Sequence, residues 1–315
     1  MIGKKVVVTG GAGFIGSNLA EELAKRGYYV VILDDLCTGK RENIELLIKQ
    51  EYVEFIQGSI TNLSLLHQVF KDVQYVFHQA AIPSVPRSIE NPQATHEVNM
   101  TGTLNVLLAA RDSNVRKVVY ASSSSAYGDT PTLPKREDMS PNPQSPYAVT
   151  KLTGECYCHV FQKVYALNTI CLRYFNVYGA RQDPNSQYAA VIPKFISMVM
   201  RGSPPIIFGD GEQTRDFTFI KDVIEANILA AESEFSGVFN IGRGENISIN
   251  SLANLIINLT GNNMRAVHKE PRVGDVKDSL ADISRARAFG YKPKWSLEEG
   301  LKEIIRSFQN ETKCG

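Results

Sequence analysis

The sequence contains little of what a disulfide framework or a metal centre requires. Its 315 residues include five cysteines, an odd number, and their spacing does not match that of a metal-ligand set. This usage is typical of reduced thiols, so we expect no structural disulfide, no bound metal and a cytoplasmic protein. The chain enters a strand-like segment almost at once and has no apolar run long enough to span a bilayer, so we expect neither a signal peptide nor a membrane helix.

The sequence also lacks an excess of positive or negative residues. The 34 lysines and arginines nearly balance the 33 aspartates and glutamates, which leaves a formal net charge of +1, with no basic block or acidic tail. Binding to nucleic acid or to a membrane surface depends on clustered charge, so we expect neither, and we expect small-molecule partners instead. The hydrophobic content of 43% is enough for a sizeable core in one large domain or two closely joined domains.

A glycine-rich segment near the N-terminus predicts a dinucleotide site. The strand-like run Lys4–Thr9 leads into Gly10-Gly11-Ala12-Gly13-Phe14-Ile15-Gly16, which a helical stretch follows. Gly10 permits a tight turn, Gly13 allows the backbone to approach a pyrophosphate, and Gly16 allows close packing of the helix. The amino terminus of that helix attracts the phosphate charge.

The second strand-like run ends in two carboxylates. Tyr29–Leu33 is followed by Asp34 and Asp35, at about the distance expected for an acid that binds the adenosine ribose. A carboxylate hydrogen-bonds a free 2′-hydroxyl and repels a 2′-phosphate, so Asp34 favours NAD over NADP. The nearby Lys40 and Arg41 leave NADP open.

Strand-like and helical segments alternate along most of the chain. Further strand-like runs are Tyr52–Ile56, Tyr75–His78, Val118–Ser122, Thr169–Arg173 and Val238–Ile241, and helical stretches are predicted at Ser17–Arg26, Leu63–Phe70, Ala94–Asn114 and Tyr147–Tyr165. This order predicts an α/β fold with a doubly wound parallel Rossmann sheet. We expect residues 1–175, with 216–244 returning to them, to form the dinucleotide-binding domain. Residues 176–215 and 245–315, where elements shorten, are expected to form a smaller mixed α/β substrate lobe.

The segment Tyr147-Ala-Val-Thr-Lys151 and the serine run Ser122–Ser125 indicate proton transfer at an alcohol. A tyrosine with a pKa of about 10 needs a positive charge to act as a base at neutral pH. Lys151, one helical turn away on the same face, can supply that charge and reach a cofactor ribose. Ser123 is the first choice for the hydroxyl that positions the substrate oxygen, and Ser124 is the alternative.

Taken together, these motifs resemble the extended short-chain dehydrogenase/reductases. The segments that carry the resemblance are the glycine turn, His78-Gln79-Ala80-Ala81, Asn99, the serine run, Tyr147 with Lys151, Arg173-Tyr174-Phe175-Asn176 and Gly211-Glu212-Gln213-Thr214-Arg215-Asp216. Within that family the chain is most similar to nucleotide-sugar 4-epimerases of the UDP-galactose 4-epimerase type. The resemblance implies an isomerase with a firmly held NAD⁺, in which hydride leaves C4 of the sugar and returns to the opposite face of a transient 4-keto sugar.

The resemblance also implies roles for particular residues. Tyr147 would be the base, Lys151 its electrostatic partner, and Ser123 or Ser124 the positioning hydroxyl. The residues expected at the cofactor are Gly10, Gly13, Phe14, Ile15, Gly16, Asp34, Asp35, Ser59, Ile60, Ala80, Ala81, Asn99, Tyr147 and Lys151. The residues expected at the UDP-sugar are Ser84, Arg87, Ser124, Ser125, Asn176, Val191, Arg215, Arg272 and Ser279. His78 is expected to be structural.

Two positions depart from the family pattern. Ser59 stands where an aspartate commonly contacts the adenine, which predicts weaker retention of the cofactor. Ser279 stands where tyrosine occurs in epimerases restricted to non-acetylated sugars, so a smaller side chain leaves room for a 2-acetamido group. The segments 84–88 and 181–185 also resemble the subgroup that accepts N-acetylhexosamines. We therefore predict interconversion of UDP-GlcNAc and UDP-GalNAc, with UDP-Glc and UDP-Gal as a second pair.

Other functions remain open at this point. Arg87, Ser124 and Ser125 could bind a sugar carboxylate, which keeps a UDP-glucuronate or UDP-N-acetylglucosaminuronate 4-epimerase or decarboxylase as an alternative. A 4,6-dehydratase is disfavoured because Ser124-Ser125 replaces its acid and base pair. A dinucleotide-sensing protein without catalysis has no need of an activated phenol. We also expect a homodimer through a helix bundle, with Val106, Leu107, Val160 and Phe161 as candidate contacts.

Overall fold

The computed structural model describes residues 3–184, 190–271 and 277–314, with side chains described up to residue 309. The strands are β1 (Lys5–Thr9), β2 (Tyr29–Asp34), β3 (Val53–Gln57), β4 (Tyr75–His78), β5 (Lys117–Ser123), β6 (Thr169–Tyr174), β7 (Val177–Tyr178), β8 (Ile206–Phe208), β9 (Thr214–Arg215), β10 (Thr218–Phe219), β11 (Gly237–Ile241), β12 (Ile247–Ser248) and β13 (Val267–Lys269). The α-helices are α1 (Phe14–Lys25), α2 (Leu63–Val69), α3 (Val85–Glu90), α4 (Pro92–His96), α5 (Gly102–Asp112), α6 (Pro146–Tyr165), α7 (Val191–Met200), α8 (Ile220–Glu232), α9 (Ile249–Leu259) and α10 (Leu297–Cys314).

Seven parallel strands form the main sheet in the order β11-β6-β5-β4-β1-β2-β3. The strand order reverses between the neighbouring strands β1 and β4. Strands β2 and β3 lie on the β1 side, and β5, β6 and β11 lie on the β4 side. In such a sheet, ligands bind outside the carboxyl ends of the strands at this reversal point. The predicted Rossmann fold is confirmed.

Aliphatic side chains on both faces of the sheet explain why these runs form buried strands. Val6 and Val8 pack into one core cluster, and Val7, between them, packs into a second cluster on the opposite face. This alternation is the two-residue period of a strand whose two faces are both covered. Helices α1 and α8 contribute to the first cluster, and α2, α5 and α6 contribute to the second.

The other strands of the described residues form short two-stranded pairings. The pairs are β7 with β10, β8 with β13, and β9 with β12. Apolar residues of α7 and α9, such as Phe195 and Leu252, are buried in the same core cluster as Val6 and Val8 of β1. The elements that follow β6 therefore pack as one continuous core with the main sheet.

Element boundaries differ from the predicted ones by a few residues. Helix α1 begins at Phe14 instead of Ser17, and the helix predicted over 94–114 is divided into α4, a five-residue π-helical turn at Glu97–Thr101, and α5. Such π turns are frequent at functional sites. None of the helices in the described part of the chain is long and apolar enough to cross a membrane.

Candidate active site

Helix α6 carries the tyrosine and the lysine. Its start is fixed by Ser145, whose hydroxyl accepts a hydrogen bond from the backbone N–H of Ala148 at 3.1 Å, and by Pro146 in the first turn. Its end is marked by Ala166, which adopts a left-handed conformation. The chain therefore starts this helix just before Tyr147, and Lys151 follows one turn later, on the same face.

Lys151 is buried and its ammonium group has a fixed direction. The Nζ atom donates to the carbonyl oxygen of Ala121 in β5 at 2.8 Å and lies 5.2 Å from the centroid of the Tyr120 ring. Burial lowers the pKa of this ammonium from 10.5 to about 8. Lys151 therefore points at the carboxyl end of the central strands.

Tyr147 is half-buried beside Lys151 and Ser123. Desolvation raises the pKa of its phenol above the ordinary value, and the hydrogen bond with the Ser123 hydroxyl opposes that rise. The sequence predicted a phenol made more acidic by Lys151. In the structure the lysine is at the predicted side of the ring, but burial of the phenol outweighs the effects that favour the phenolate.

The serine run changes direction where β5 ends. Ser123 is the last residue of β5, and Ser124–Tyr127 form a 3₁₀ turn. The Ser123 Oγ atom accepts hydrogen bonds from the backbone N–H of Ser125 at 3.1 Å and from the Ser125 hydroxyl at 2.9 Å. Ser123, the first choice from the sequence, is thus the serine that hydrogen-bonds to Tyr147, while Ser125 lies next to it.

The glycine turn packs against the end of β4. Gly10 has a φ of 68°, and a Cβ atom there would lie 2.7 Å from the Cα atom of Ala80. A Cβ atom at Gly16 would lie 2.1 Å from the carbonyl oxygen of Gly10. Only glycine fits these two positions, and the result is an open helix amino terminus at Gly13–Ile15 where backbone N–H groups can meet a pyrophosphate.

Asp34 closes this turn from the side of β2. One carboxylate oxygen accepts from the backbone N–H of Ala12 at 2.9 Å and the other from that of Leu36 at 2.8 Å. Burial raises the pKa of Asp34, although both hydrogen bonds favour its ionised form. Asp34 borders a narrow cavity beside the glycine turn. The predicted residues that line this cavity are Gly10, Asp34, Asp35, Ile60, Ala80 and Ala81.

Lys40 and Arg41, which left NADP as a possible cofactor, contact other side chains of the protein. Lys40 pairs with Asp183 at 2.8 Å, and the Arg41 guanidinium carbon lies 5.4 Å from the centroid of the Phe55 ring. The carboxylates of Asp34 and Asp35 both line the cavity beside the glycine turn, and a carboxylate at a ribose favours a free 2′-hydroxyl. This arrangement fits NAD.

Ser59 and Asn99 are among the predicted cofactor residues that do not line that cavity, and both are hydrogen-bonded to other parts of the chain. The Ser59 hydroxyl accepts hydrogen bonds from the backbone N–H and the hydroxyl of Thr61. Asn99 is buried in the π turn, accepts from the backbone N–H of Ile82 at 2.8 Å and donates to the Thr150 hydroxyl at 3.1 Å. Asn99 thus connects the loop after β4 with helix α6.

A larger cavity of about 290 Å³ opens between β7, α7 and β8. Three of the predicted substrate residues, Asn176, Val191 and Arg215, line it. Its other walls are mainly apolar and include the rings of Phe195 and Phe217. A cavity of this kind takes a flat, partly apolar group and orients it with a few polar contacts.

Asn176 and Ser279 meet at one end of this region. The Nδ2 atom of Asn176 donates to the Asp216 carbonyl oxygen at 3.1 Å and to the Ser279 Oγ atom at 3.4 Å. The φ of Asn176 is 23°, a strained value of a kind that clusters at functional sites. Arg215 donates through Nη1 to the carbonyl oxygens of Thr214 and Lys277.

The predicted substrate residues Ser84 and Arg87 do not line this cavity. Ser84 caps α3 by accepting from the backbone N–H of Arg87 at 3.2 Å, and the Arg87 side chain is exposed. Arg272 lies outside the described residues, as do Asn185 and the first part of the segment that leads to Ser279.

His78 is structural, as expected. Its Nδ1 atom lies 2.8 Å from the Thr9 hydroxyl and its Nε2 atom 3.0 Å from the Thr103 hydroxyl. Burial, with a smaller effect from Lys151, lowers its pKa to about 3, which keeps the imidazole neutral.

The structural role of Asp216 was not predicted from the sequence. This carboxylate is fully buried and accepts from the backbone N–H groups of Arg243, Gly244 and Ala281 at 2.8, 3.0 and 3.1 Å. It therefore holds the segment after Ser279 against the loop that follows β11. Its place in the motif Gly211–Asp216 was the only signal, because its partners are distant in sequence.

The parallel fold, the glycine turn and the Tyr147–Lys151–Ser123 group together define a nucleotide-dependent enzyme of the extended short-chain dehydrogenase/reductase class. Residues 6–242 match the model of the NAD dependent epimerase/dehydratase family, and the chain belongs to this family. NAD is its cofactor, and the predicted enzyme class is confirmed.

Similar proteins match over almost their full length. The chain is 40% identical over 310 residues to a putative UDP-glucose 4-epimerase of Methanocaldococcus jannaschii, covering 98% of this chain and 99% of the relative. A solved UDP-N-acetylglucosamine 4-epimerase from Methanobrevibacter ruminantium M1, in complex with UDP-N-acetylmuramic acid, has a TM-score of 0.95 and 41% identity, covering 99% of this chain and 100% of that chain. A UDP-glucuronic acid 4-epimerase from Bacillus cereus, solved with UDP-glucuronic acid and NAD, has a TM-score of 0.88 and 36% identity, covering 96% and 99%.

Proposed function

We propose that the protein interconverts the C4 epimers of UDP-sugars, with UDP-GlcNAc and UDP-GalNAc as its best substrates and UDP-Glc and UDP-Gal as a second pair. The observation that carries the sugar assignment is the small side chain of Ser279 beside Asn176. The names of the similar proteins support a UDP-sugar substrate.

The proton chemistry rests on α6 and the end of β5. Tyr147 takes the proton from the C4 hydroxyl, and Ser123, hydrogen-bonded to the same phenol, holds the C4 oxygen in line. NAD, held at the glycine turn and beside Asp34, would supply the acceptor and donor of the C4 hydride. After the ketone has turned its other face, Tyr147 returns the proton and the C4 configuration is inverted. No external redox partner is consumed.

Lys151 makes the proton transfer possible at neutral pH. Its ammonium is held near the phenol by the Ala121 carbonyl oxygen, and a positive charge there favours the phenolate. An oxidised nicotinamide would add a second positive charge of the same effect. Positive charge opposes the desolvation that raises the pKa of Tyr147.

The nucleotide is assigned to the 290 Å³ cavity. The rings of Phe195 and Phe217 provide apolar walls for a base, and the guanidinium of Arg215 supplies positive charge for a diphosphate. Asn176 lies between this cavity and Ser279, and so marks the path from the diphosphate to the sugar. A tyrosine at position 279 would fill the space that a 2-acetamido group needs.

A UDP-uronate 4-epimerase is the second candidate. The exposed Arg87, which follows the Ser84 cap of α3, and the Ser125 hydroxyl beside Ser123 could recognise a sugar carboxylate. The similar Bacillus cereus protein supports this candidate by its name. A carboxylate pairs most strongly with a guanidinium, so Arg87 is the residue on which the candidate depends.

A homodimer through α6 is part of the proposal. Of the four side chains suggested by the sequence, Val106, Leu107 and Phe161 are buried within the chain, and only Val160 is exposed. Val149, Val160 and Val164 together give α6 an exposed apolar face. Light scattering that finds a monomer at assay concentration would contradict the dimer.

Incubation with single UDP-sugars tests the function. UDP-GlcNAc, UDP-GalNAc, UDP-Glc and UDP-glucuronate are incubated separately without reductant, and the C4 epimers are followed by NMR. We expect the acetylated pair to equilibrate fastest. Turnover of glucuronate alone would transfer the function to the second candidate, and absence of C4 inversion with every sugar, even with added NAD⁺, would refute the proposal.

A further inference from the structure

A buried ion pair lies behind the catalytic groups. Glu155 of α6 is 5% exposed and Arg173 of β6 is 3% exposed. The Arg173 Nε atom lies 2.8 Å from Glu155 Oε1, and Nη2 lies 2.7 Å from Oε2, so the contact is bidentate. Removal of two charges from water is costly, and apolar residues of similar size often fill such places equally well. The pair therefore calls for a role other than stability.

The pair is connected to the catalytic serine through Ser122. The Ser122 hydroxyl donates a hydrogen bond to Glu155 Oε1. Ser122 is also the register partner of Arg173 across the parallel strands β5 and β6. Because Ser123 is the next residue, the ion pair fixes the end of the strand from which the Ser123 hydroxyl projects.

Glu155 lies on the same face of α6 as Tyr147 and Lys151. The three residues are spaced by four positions, which places them in one row facing the sheet. The helix is close to the sheet here, since a Cβ atom at Gly154 would lie 2.2 Å from the Tyr120 hydroxyl oxygen. The ion pair is thus the polar link that sets the position of the catalytic row relative to β5 and β6.

The other end of the serine turn is held by the same arginine. The Arg173 guanidinium carbon lies 4.6 Å from the centroid of the Tyr127 ring. Tyr127 ends the 3₁₀ turn that begins at Ser124, and its hydroxyl donates to Asn240 Oδ1 at 2.7 Å. Residues immediately before and after Ser123–Ala126 are therefore both attached to the Glu155–Arg173 pair.

We propose that Glu155 and Arg173 are positioning residues that hold the Ser123 hydroxyl at the Tyr147 phenol and so set the rate of proton transfer. The inference rests on the proposed function, because the rate concerned is that of the epimerisation. Neither residue belongs to the set that lines the two cavities. They act through Ser122, Tyr127 and the placement of α6.

The test removes both charges together. A single substitution would leave one buried charge unpaired and would destabilise the protein for that reason alone. In E155M/R173M both side chains are apolar and of similar length. We expect kcat to fall by about 10- to 100-fold, the cost typical of a small misplacement of reacting groups. KM for the UDP-sugar should change less than about twofold, because substrate contacts are kept. C156S, next to Glu155 on the exposed face of α6, is the matched control and should keep kcat.

A double-mutant cycle separates positioning from general stability. If the pair acts through Ser123, the E155M/R173M change should have little further effect on kcat in an S123A enzyme. An equal fold-loss in the S123A and wild-type backgrounds would overturn the proposal. If E155M/R173M does not fold, R173K is used in the same cycle. It keeps the charge but loses the bidentate contact, and an unchanged kcat would again overturn the proposal.

A crystal structure of the variant holoenzyme gives a readout that needs no substrate. The proposal predicts that the Ser123 hydroxyl no longer hydrogen-bonds to Tyr147 in E155M/R173M, and an unmoved serine turn would contradict it. If wild-type protein turns over none of the UDP-sugars, the proposed function has failed, and the variant structure still decides on positioning. If the wild type is active and the variant equally so, positioning alone has failed.

Discussion

The Lys151 ammonium nitrogen lies 5.9 Å from the centroid of the Tyr147 ring, one helical turn further along α6. The same nitrogen donates to the Ala121 carbonyl oxygen in β5 at 2.8 Å, so its position is set by the sheet as well as by the helix. A tyrosine and a lysine four residues apart occur on many helices. Here the strand that ends in Ser123 turns the spacing into a site, because it fixes both the cation and the hydroxyl that faces the phenol.

Replacement of Tyr147 by phenylalanine removes the proposed base. We expect kcat to fall by about 10²- to 10⁴-fold, the usual contribution of a positioned acid or base, while the Kd of the UDP-sugar changes little. Steady-state kinetics and calorimetric binding measure the two quantities. Tyr157→Phe on the same helix is the control, and a Y147F enzyme with the kcat of this control would exclude Tyr147 as the base.

Replacement of Lys151 by methionine should lower the activity while raising the stability at neutral pH relative to that at high pH. The pKa of Lys151 is about 8 in the folded protein and 10.5 in the unfolded chain. As the pH falls from about 10.5 to about 8, Lys151 is protonated in the unfolded chain but still neutral in the folded protein. The free energy of unfolding of the wild type therefore decreases over this range and is constant with respect to Lys151 below it. Methionine carries no such proton. K151M should be nearly inactive, and the difference in Tm between K151M and the wild type should be more favourable to K151M at pH 7 than at pH 10.5.

This comparison is made by thermal unfolding at equal NAD occupancy. A Tm difference that does not vary with pH would show that Lys151 is not desolvated as the structure indicates. Full activity of K151M would contradict its electrostatic role.

Replacement of Ser279 by tyrosine tests the sugar preference. The ring would occupy the space next to Asn176 that we assign to the 2-acetamido group. We expect the ratio of kcat/KM for UDP-GlcNAc to that for UDP-Glc to fall by about tenfold or more, which corresponds to about 1.4 kcal/mol of discrimination. S279A is the volume control and should keep the ratio. An unchanged ratio in S279Y would rule out Ser279 as the determinant.

Replacement of Asp34 by asparagine tests the cofactor site. Its carboxylate accepts hydrogen bonds from the Ala12 and Leu36 N–H groups and borders the cavity where we expect the ribose. Loss of the charge should raise the Kd for NAD by about tenfold, since hydrogen bonds to a charged group contribute about 1.5–3 kcal/mol. The ratio of the Kd for NADP to the Kd for NAD should fall at the same time.

Titration of cofactor-free protein with NAD and with NADP measures both effects. D35N removes the neighbouring carboxylate, which accepts from the Cys37 N–H in an exposed turn, and should have the smaller effect. Equal effects of the two substitutions would contradict the assignment of Asp34.

The parallel sheet and the cofactor turn could be predicted from the sequence because their signals are local. Buried strands such as β1 are runs of aliphatic residues in the sequence. The glycines of the following turn form a short motif, because the close backbone contacts there leave no space for a side chain. Tyr147, Lys151 and Ser123 were also proposed from local patterns. In the structure Ser123 is the serine that interacts with the phenol.

Contacts between distant segments could not be predicted in this way. Asp216 binds N–H groups of Gly244 and Ala281, and Glu155 binds Arg173 on another element, with no periodicity that would show either pairing. The burial of the Tyr147 phenol, which raises its pKa, was also not visible in the sequence, which shows only the nearby lysine.

An epimerisation carried out in D₂O and followed at C4 by NMR tests the proposed hydride transfer most directly. We expect C4 to be inverted with no deuterium incorporated there, because the hydrogen that leaves C4 would return to the same carbon from NAD without reaching solvent. Only the hydroxyl proton handled by Tyr147 exchanges. Incorporation of deuterium at C4, or absence of inversion with every UDP-sugar offered, would contradict the proposed 4-epimerase activity.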